Sequence, residues 1–127
     1  MTSGNKRIGR QGEDLAVDFL KKNGYQILEK NFRTKLGEID IIAQDRDTIS
    51  FVEVKSRTDA TLGSPLEAIT PFKIKKLSQV ALLFLKQRNL FDSKARFDVV
   101  TIEKDAQGNQ NIGFYQDVFE LANRYGY

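Results

Sequence analysis

The segment that decides the fold is GEIDIIAQDRDTISFVEVKSR, which occupies residues 37–57. Two apolar runs, IDIIA and ISFVEV, each contain one acidic residue, and the turn-forming tripeptide Asp45-Arg46-Asp47 lies between them. Near-continuous apolar runs of this kind are typical of strands that are buried on both faces. We therefore predict two antiparallel strands, 38–44 and 48–56, in a sheet that helices cover.

The rest of the sequence supplies two helices and three more strands. Residues from about 6 to 22 have the apolar spacing of an amphipathic helix, which Gly24 is placed to end. A second helix has two start signals, Ser64-Pro65-Leu66-Glu67 and Thr70-Pro71, and continues to about Arg88. The remaining strands are predicted at 25–33, 97–102 and 112–115, and a last helical turn is expected in 117–122.

This order of elements, α-β-β-β-α-β-β, predicts an α/β fold with a mixed β-sheet flanked by helices. The connection from 48–56 through the second helix to 97–102 is long enough for a parallel crossover, which is right-handed in nearly all proteins. The chain has 127 residues and no linker or repeat. We therefore expect one domain over 1–127, with a core of about 6–103 and a C-terminal hairpin and tail over 104–127.

The absence of cysteine and histidine limits the chemistry that the chain can perform. A disulfide framework, a thiol nucleophile and a Ser-His-Asp triad are excluded, and a zinc hydrolase loses its commonest ligand. Metal chemistry would have to use carboxylate and carbonyl oxygens, which favour Mg²⁺ or Mn²⁺. The formal net charge of +3 slightly favours an anionic partner. Because no apolar run approaches the ~20 residues of a membrane span, we expect a cytoplasmic protein with no membrane partner.

Two acidic residues face each other across the predicted hairpin. A loop of two or of four residues gives the same register, in which Asp40 lies opposite Glu53 with Cβ atoms about 5 Å apart. Lys55 shares a face with Glu53, because side chains two residues apart in a strand point the same way. Carboxylates placed like this repel each other, and a bound cation would remove the repulsion.

Glu13 lies on the inward side of the first helix and completes the set. We expect Asp40, Glu53 and the backbone carbonyl of Val54 to hold Mg²⁺ or Mn²⁺, with Glu13 completing the shell or binding a second ion. Such a site suits phosphodiester hydrolysis. The ion would polarise the phosphate and activate a water, and Lys55 would orient that water or stabilise the developing charge.

Each of these signals also has a simpler interpretation. A Glu-x-Lys pair on a strand is more often an exposed ion pair, and a glutamate at the edge of a helix stripe often reaches solvent. Taken together, however, three acids and a lysine near one point of an apolar sheet favour a catalytic site, because unpaired charge there is costly.

At these residues the sequence resembles the PD-(D/E)xK nucleases, and more closely the YraN-type family of small bacterial proteins, which are classed as endonucleases. The resemblance rests on the ordered set Glu13, Asp40 and Glu53-Val54-Lys55 and on the segments 9–13, 31–33, 37–40, 51–57 and 96–100. It implies a restriction-endonuclease-like fold and a metal-dependent DNA endonuclease. Archaeal Holliday-junction resolvases have the same order of catalytic residues, so branched DNA is an implied substrate. Ile39 stands where the motif's name has proline, a position that is tolerant in this superfamily.

Basic residues around this set are candidates for contacts with DNA. Arg57 follows Lys55 in the same strand, and Arg33 precedes the strand of Asp40. Lys73 and Lys76 lie in the first turns of the second helix, where a bound phosphate would offset their unfavourable interaction with the helix dipole. Arg10 is the candidate on the first helix. For most of them a solvated face is the simpler interpretation, and cutting two strands would require a homodimer or a partner protein.

Two other functions fit the same residues. A non-catalytic nucleic-acid-binding module of this fold, acting with a partner protein, predicts salt-dependent binding without a metal requirement. A structural protein in which the acids and Lys55 form a buried ion network predicts that Glu53→Gln destabilises the fold. A metal site without its metal predicts the opposite effect, because the substitution relieves repulsion.

Overall fold

A computed structural model describes residues 2–57 and 69–121, with side chains from residue 11 onward. These residues form two helices and five strands in the predicted order: α1 Thr2–Lys22, β1 Gln26–Thr34, β2 Gly37–Asp45, β3 Thr48–Arg57, α2 Pro71–Gln87, β4 Lys94–Lys104 and β5 Gln110–Tyr115. The α/β class and the order α-β-β-β-α-β-β are therefore confirmed.

The five strands form one mixed sheet in the order β1-β2-β3-β4-β5. Strands β3 and β4 are parallel and α2 connects them, while the other neighbouring pairs are antiparallel. The predicted hairpin register is confirmed from Asp45–Thr48, next to the turn, to Ile41–Val52. β2 and β3 are thus interior strands, as their apolar runs predict.

A helix covers each face of the sheet and has an apolar core of its own. On one face α2 packs against the sheet through residues that include Val80, Ala81, Phe84, Leu85, Ile42 and Phe51. On the other face α1 packs through residues that include Ala16, Val17, Leu20, Ile41, Val52 and Val100. Neighbouring residues of β2 and of β3 therefore belong to different cores, which is the alternation expected of a strand.

Gly12 lets α1 approach β3 closely. A Cβ atom at this position would collide with the hydroxyl of Ser56 and would lie 3.7 Å from Ile102 Cδ1. This glycine therefore allows close packing of the helix on the sheet.

We expect the effect of Gly12→Ala on stability to depend on Ser56. In the wild-type background the new methyl group displaces Ser56 Oγ, at a cost of roughly 1 kcal/mol that offsets the similar gain from replacing glycine in a helix. In a Ser56→Ala background this collision is absent, and Gly12→Ala should stabilise the protein by about 1 kcal/mol. Urea unfolding of the four proteins measures the coupling, and strictly additive effects would contradict the close approach.

The starts of both helices differ in how well the sequence marks them. α1 begins at Thr2 rather than near residue 6, because the apolar pattern that predicts this helix starts only at Ile8. α2 begins at the second of its two signals, where Thr70 Oγ1 accepts a hydrogen bond from the Lys73 N–H at 3.2 Å. The other signal, at 64–67, lies outside the described residues. So does Ala122, the last residue of the helical turn that the sequence predicts after β5.

The helical turn expected after β5 is wrong for residues 117–121. Asp117 has a φ of 55°, and its N–H donates to Asp98 Oδ1 at 2.8 Å. The next N–H, of Val118, donates to the carbonyl of Phe97 at 2.8 Å, and the Phe119 ring stacks on the Phe97 ring at 4.3 Å between centroids. Contacts with β4 hold this segment against the sheet, and such contacts cannot be predicted from the local sequence pattern.

Within the described part of the chain, neither helix has the combination of length and apolarity that crossing a lipid bilayer requires.

Candidate functional site

The catalytic candidates meet where β2 and β3 separate. The backbone pairing of these strands keeps the predicted register but ends at Ile41–Val52, one pair before Asp40 and Glu53, which are therefore not paired in the ladder. Asp40 Oδ2 instead accepts a hydrogen bond from the Val54 N–H at 2.8 Å. If the ladder continued, the Val54 N–H would donate to a backbone carbonyl of β2; here it donates to the Asp40 carboxylate instead. Because the strands separate at this point, the two carboxylates do not lie directly opposite each other.

Burial and repulsion by neighbouring acids make both carboxylates easier to protonate. Burial raises the pKa of Asp40 to about 6, against the hydrogen bond from Val54, and the charges of Glu13 and Glu38 add to the increase. Burial raises the pKa of Glu53 to about 7, and the charge of Asp40 is the next largest cause. The structure therefore brings Asp40 and Glu53 together as two half-buried acids that destabilise each other when both are ionised.

Lysine side chains from two elements lie near Glu53. The charges of Lys55 and, more weakly, Lys73 act on Glu53 and lower its pKa. Both lysines line a cavity of about 230 Å³ together with Glu53, and Lys76 lines it too. The positions predicted for Lys55 in β3 and for Lys73 and Lys76 in α2 thus converge on one cavity.

Glu38 belongs to the same cluster although the sequence interpretation omitted it. Glu38 lines the cavity, and its charge raises the pKa of both Asp40 and Glu53. Its carboxylate also receives a hydrogen bond from Arg33 Nε at 3.0 Å, which places the largely exposed Arg33 at the rim of the site. The alternation rule that joins Glu53 to Lys55 also joins Glu38 to Asp40 and would have identified it.

Two predicted site residues, Glu13 and Arg57, do not line the cavity. Glu13 is half-buried on α1, and its charge reaches Asp40. Arg57 does not share the cavity of Lys55; its Nη2 forms an ion pair with Glu103 Oε1 at 3.3 Å, and it lines a smaller cavity beside α1. Arg10 lies on α1, but its side chain is outside those that the structure describes. Contacts of Arg57 and Arg10 with DNA stay predictions.

A second polar cluster, centred on Asp98 in β4, was not predicted. Asp98 is 1% exposed and accepts hydrogen bonds from the Ser50 hydroxyl, from Arg96 Nε and from the Asp117 N–H. Arg96 Nη2 in turn donates to the Tyr25 hydroxyl. All these groups are partnered within the protein, so the cluster serves to fix β4 and the segment after β5. Its sequence signal is one acidic residue in an apolar strand, the same signal that marks the two site carboxylates.

The residues of the site fit a hard divalent cation. Mg²⁺ is commonly held by one or two carboxylates and keeps water or substrate phosphate as its other ligands. Asp40 and Glu53 supply two such carboxylates, and their mutual repulsion gives a cation a favourable place to bind. Among the side chains that the structure describes, no three acids are grouped closely enough to hold a metal ion by themselves. The N–H of Val54 contacts Asp40, and the predicted role of its carbonyl as a ligand stays a prediction.

We expect the metal-free protein to lose stability as the pH rises from about 5 to 8. Both acids have a pKa in the folded protein, about 6 and about 7, that exceeds the unfolded value of about 4. Their contribution to stability is therefore complete below about pH 4 and is lost as they ionise between about pH 5 and 8. We expect a decrease of about 4 kcal/mol in the free energy of unfolding, measured with urea in EDTA.

The control for this pH dependence is the double variant Asp40→Asn, Glu53→Gln, which carries neither titrating carboxylate. The difference in stability between wild type and the double variant should grow with pH. A difference that stays constant from about pH 5 to pH 8 would show that the pKa values of the two acids are not raised in the folded protein.

Comparisons with known proteins place the chain in a family. Residues 12–102, which include Glu13, Asp40, Glu53 and Lys55, match the family described as "Uncharacterised protein family UPF0102". A UPF0102 protein of Geotalea uraniireducens is 48% identical over 118 residues, which cover 93% of each chain. A UPF0102 protein of Geobacter metallireducens is 47% identical over 122 residues, covering 96% of this chain and 99% of the relative. The resemblance to the YraN-type family is thereby confirmed, and the chain belongs to the UPF0102 family.

Proposed function

We propose that this protein is a metal-dependent DNA endonuclease that hydrolyses phosphodiester bonds. The observation that carries the proposal is the pair of half-buried carboxylates, Asp40 and Glu53, which both have a raised pKa and lie close enough for the charge of Asp40 to raise the pKa of Glu53, beside Lys55. An apolar sheet does not retain such an arrangement for stability, because each ionised group makes the other less favourable. The arrangement is useful when a cation binds between the two acids.

The site residues have separate roles in this proposal. Asp40 and Glu53 hold Mg²⁺ or Mn²⁺, which when bound polarises the phosphate and makes a water molecule more acidic. The hydrogen bond from the Val54 N–H to Oδ2 fixes the orientation of the Asp40 carboxylate. The other oxygen, Oδ1, is then the one that would bind the cation. Lys55 places a positive charge beside Glu53, where it orients the attacking water or stabilises charge on the phosphate.

The basic residues of α2 make nucleic acid a suitable substrate. Lys73 and Lys76 line the same cavity as Glu53 and Lys55, so a phosphate at the carboxylate pair would lie near these cations. Arg33 is 76% exposed at the rim of the site and is available to a longer strand. Branched or otherwise structured DNA is proposed on the resemblance to Holliday-junction resolvases.

A substrate panel tests this function. Linear duplex, flap and four-way-junction DNA of the same sequence are incubated with the purified protein in Mg²⁺, in Mn²⁺ and in EDTA. The proposal predicts cleavage in both metals and none in EDTA, with structured DNA cut faster than linear duplex. Failure to cut any member of the panel in either metal would refute the endonuclease.

A non-catalytic nucleic-acid-binding module that acts with a partner protein is the second candidate. It is favoured by one observation, namely that the described side chains contain no group of three acids able to hold a metal. This function predicts binding that weakens with salt and is unchanged by chelation. DNA binding that disappears in EDTA would count against it.

A further inference from the structure

The cavity beside the carboxylates is mainly apolar, which a metal site alone does not require. Besides the lysines and three acids, Glu38, Glu53 and Asp98, its lining includes Phe72 and Leu77 of α2, Phe97 and Val99 of β4, and Val118 and Phe119 from the segment after β5. Phe72 is 68% exposed, and Lys76 Nζ lies 5.6 Å from the centre of its ring. A large aromatic ring is thus presented to solvent at a cavity that two of the catalytic candidates, Glu53 and Lys55, line.

The rest of the molecule explains how this apolar wall is held in place. The Asp117 N–H donates to Asp98, and the Val118 N–H donates to the carbonyl of Phe97. Phe119 stacks on the Phe97 ring with an interplanar angle of 21°. The wall opposite α2 is therefore fixed by hydrogen bonds and ring stacking, so the cavity is a built feature.

The size and charge of the cavity select the kind of occupant. Its volume of about 230 Å³ is below the ~300–1,000 Å³ of pockets that enclose a drug-sized molecule, so it suits one flat ring system. The exposed Phe72 ring offers a stacking surface, and Lys73 and Lys76 offer positive charge beside it. An aromatic surface next to cations is the arrangement that binds single-stranded nucleic acid, where the base stacks and the phosphate meets the cation.

We propose that this cavity binds the base of an unpaired DNA nucleotide adjacent to the phosphate that is cut, with Phe72 as the stacking residue. The inference rests on the proposed function and deepens it by naming the substrate class, DNA with an unpaired nucleotide at the cleavage position. A base within a continuous duplex is stacked on both sides and cannot enter the cavity without being extruded. Flaps, single strands and branch points supply such a base at little cost.

The chain's lack of tryptophan makes this proposal directly measurable. Phe72→Trp introduces a single indole at the mouth of the cavity, and stacking of a base on it should quench its emission. Leu83→Trp is the matched control, since Leu83 is also exposed on α2 but lies about 16 Å further along the helix axis and does not line the cavity. Both variants are prepared with Asp40→Asn, to prevent cleavage, and titrated in Mg²⁺ with a single-stranded oligonucleotide and with a blunt duplex.

We expect the single strand to quench the emission of the Phe72→Trp variant but not that of Leu83→Trp, and the duplex to quench neither. In the same background, Phe72→Ala should weaken binding of the single strand about ten-fold and binding of the duplex much less. The inference is overturned if the indole at position 72 does not respond to the single strand or responds equally to the duplex. It is also overturned if this indole already emits as a buried one in the free protein, because another part of the chain then occupies the cavity.

Cleavage by the protein without these substitutions separates this inference from the proposed function. Quenching of the indole at position 72 with no cleavage of any DNA supports the base-binding cavity and refutes the endonuclease. Cleavage in Mg²⁺ with no response of that indole supports the endonuclease and refutes the base-binding cavity.

Discussion

We expect Lys55→Met to reduce the rate of metal-dependent cleavage by about 100-fold or more while leaving metal binding intact. Lys55 places its charge beside Glu53 in the cavity, where we propose that it acts on the reacting groups, and its side chain has no oxygen with which to bind a cation. Removing one preorganised charge or donor from an active site typically costs about 10²–10³ in rate. Methionine keeps the length and the apolar stem of the side chain. Single-turnover cleavage of the preferred DNA, together with calorimetric titration of Mn²⁺, measures both properties.

Lys94→Met is the control for this substitution. Lys94 is also a strand lysine, but it is 76% exposed and pairs with Asp47 at 3.2 Å, at the other end of β3 and β4. Its replacement should leave cleavage unchanged. Equal rates for Lys55→Met and wild type would remove Lys55 from the mechanism.

Glu53→Gln should stabilise the metal-free protein at about pH 8 by about 2 kcal/mol, because it removes a half-buried charge that the charge of Asp40 repels. The attraction of Lys55 that is lost is smaller than the burial and the repulsion that are relieved. For a chain of this length such a change raises the Tm by about 5–10 °C. Thermal unfolding in EDTA, wild type against variant, measures it.

Glu103→Gln provides the control of opposite sign. Glu103 is also a half-buried strand glutamate, but it forms an ion pair with Arg57 at 3.3 Å, so its neutralisation should destabilise the protein. If Glu53→Gln behaves like Glu103→Gln, the acids and Lys55 form a structural ion network, and the metal site is refuted.

The hairpin could be predicted from sequence because two local rules agree there. The turn around Arg46 and Asp47 sets the register, and the period of two fixes which side chains share a face, so the pairing from Asp45 to Ile41 follows. The same rules place Glu53 beside Lys55. These rules do not predict that the ladder ends at Ile41, because its end depends on the Asp40 side chain, which accepts the hydrogen bond of the Val54 N–H.

The features that were missed depend on contacts between distant parts of the chain. The segment after β5 has a sequence compatible with a helical turn, yet Phe119 stacks on Phe97 in β4. Arg57 was expected beside Lys55, but an acid on the neighbouring strand, Glu103, holds it elsewhere. Such contacts are set by the arrangement of the sheet and leave no signal in local periodicity.

If Asp40 and Glu53 form the metal site of an endonuclease, as we propose, replacing Asp40 by asparagine should abolish cleavage. Cleavage of flap and four-way-junction DNA is followed for wild type and Asp40→Asn in Mg²⁺, with Asp47→Asn as a control because Asp47 is an exposed aspartate of the hairpin turn. We expect wild type and Asp47→Asn to cleave these substrates and Asp40→Asn, although folded, to leave them intact. Cleavage by Asp40→Asn at the wild-type rate, or no cleavage by the folded wild type in Mg²⁺ or Mn²⁺, would rule out this metal site.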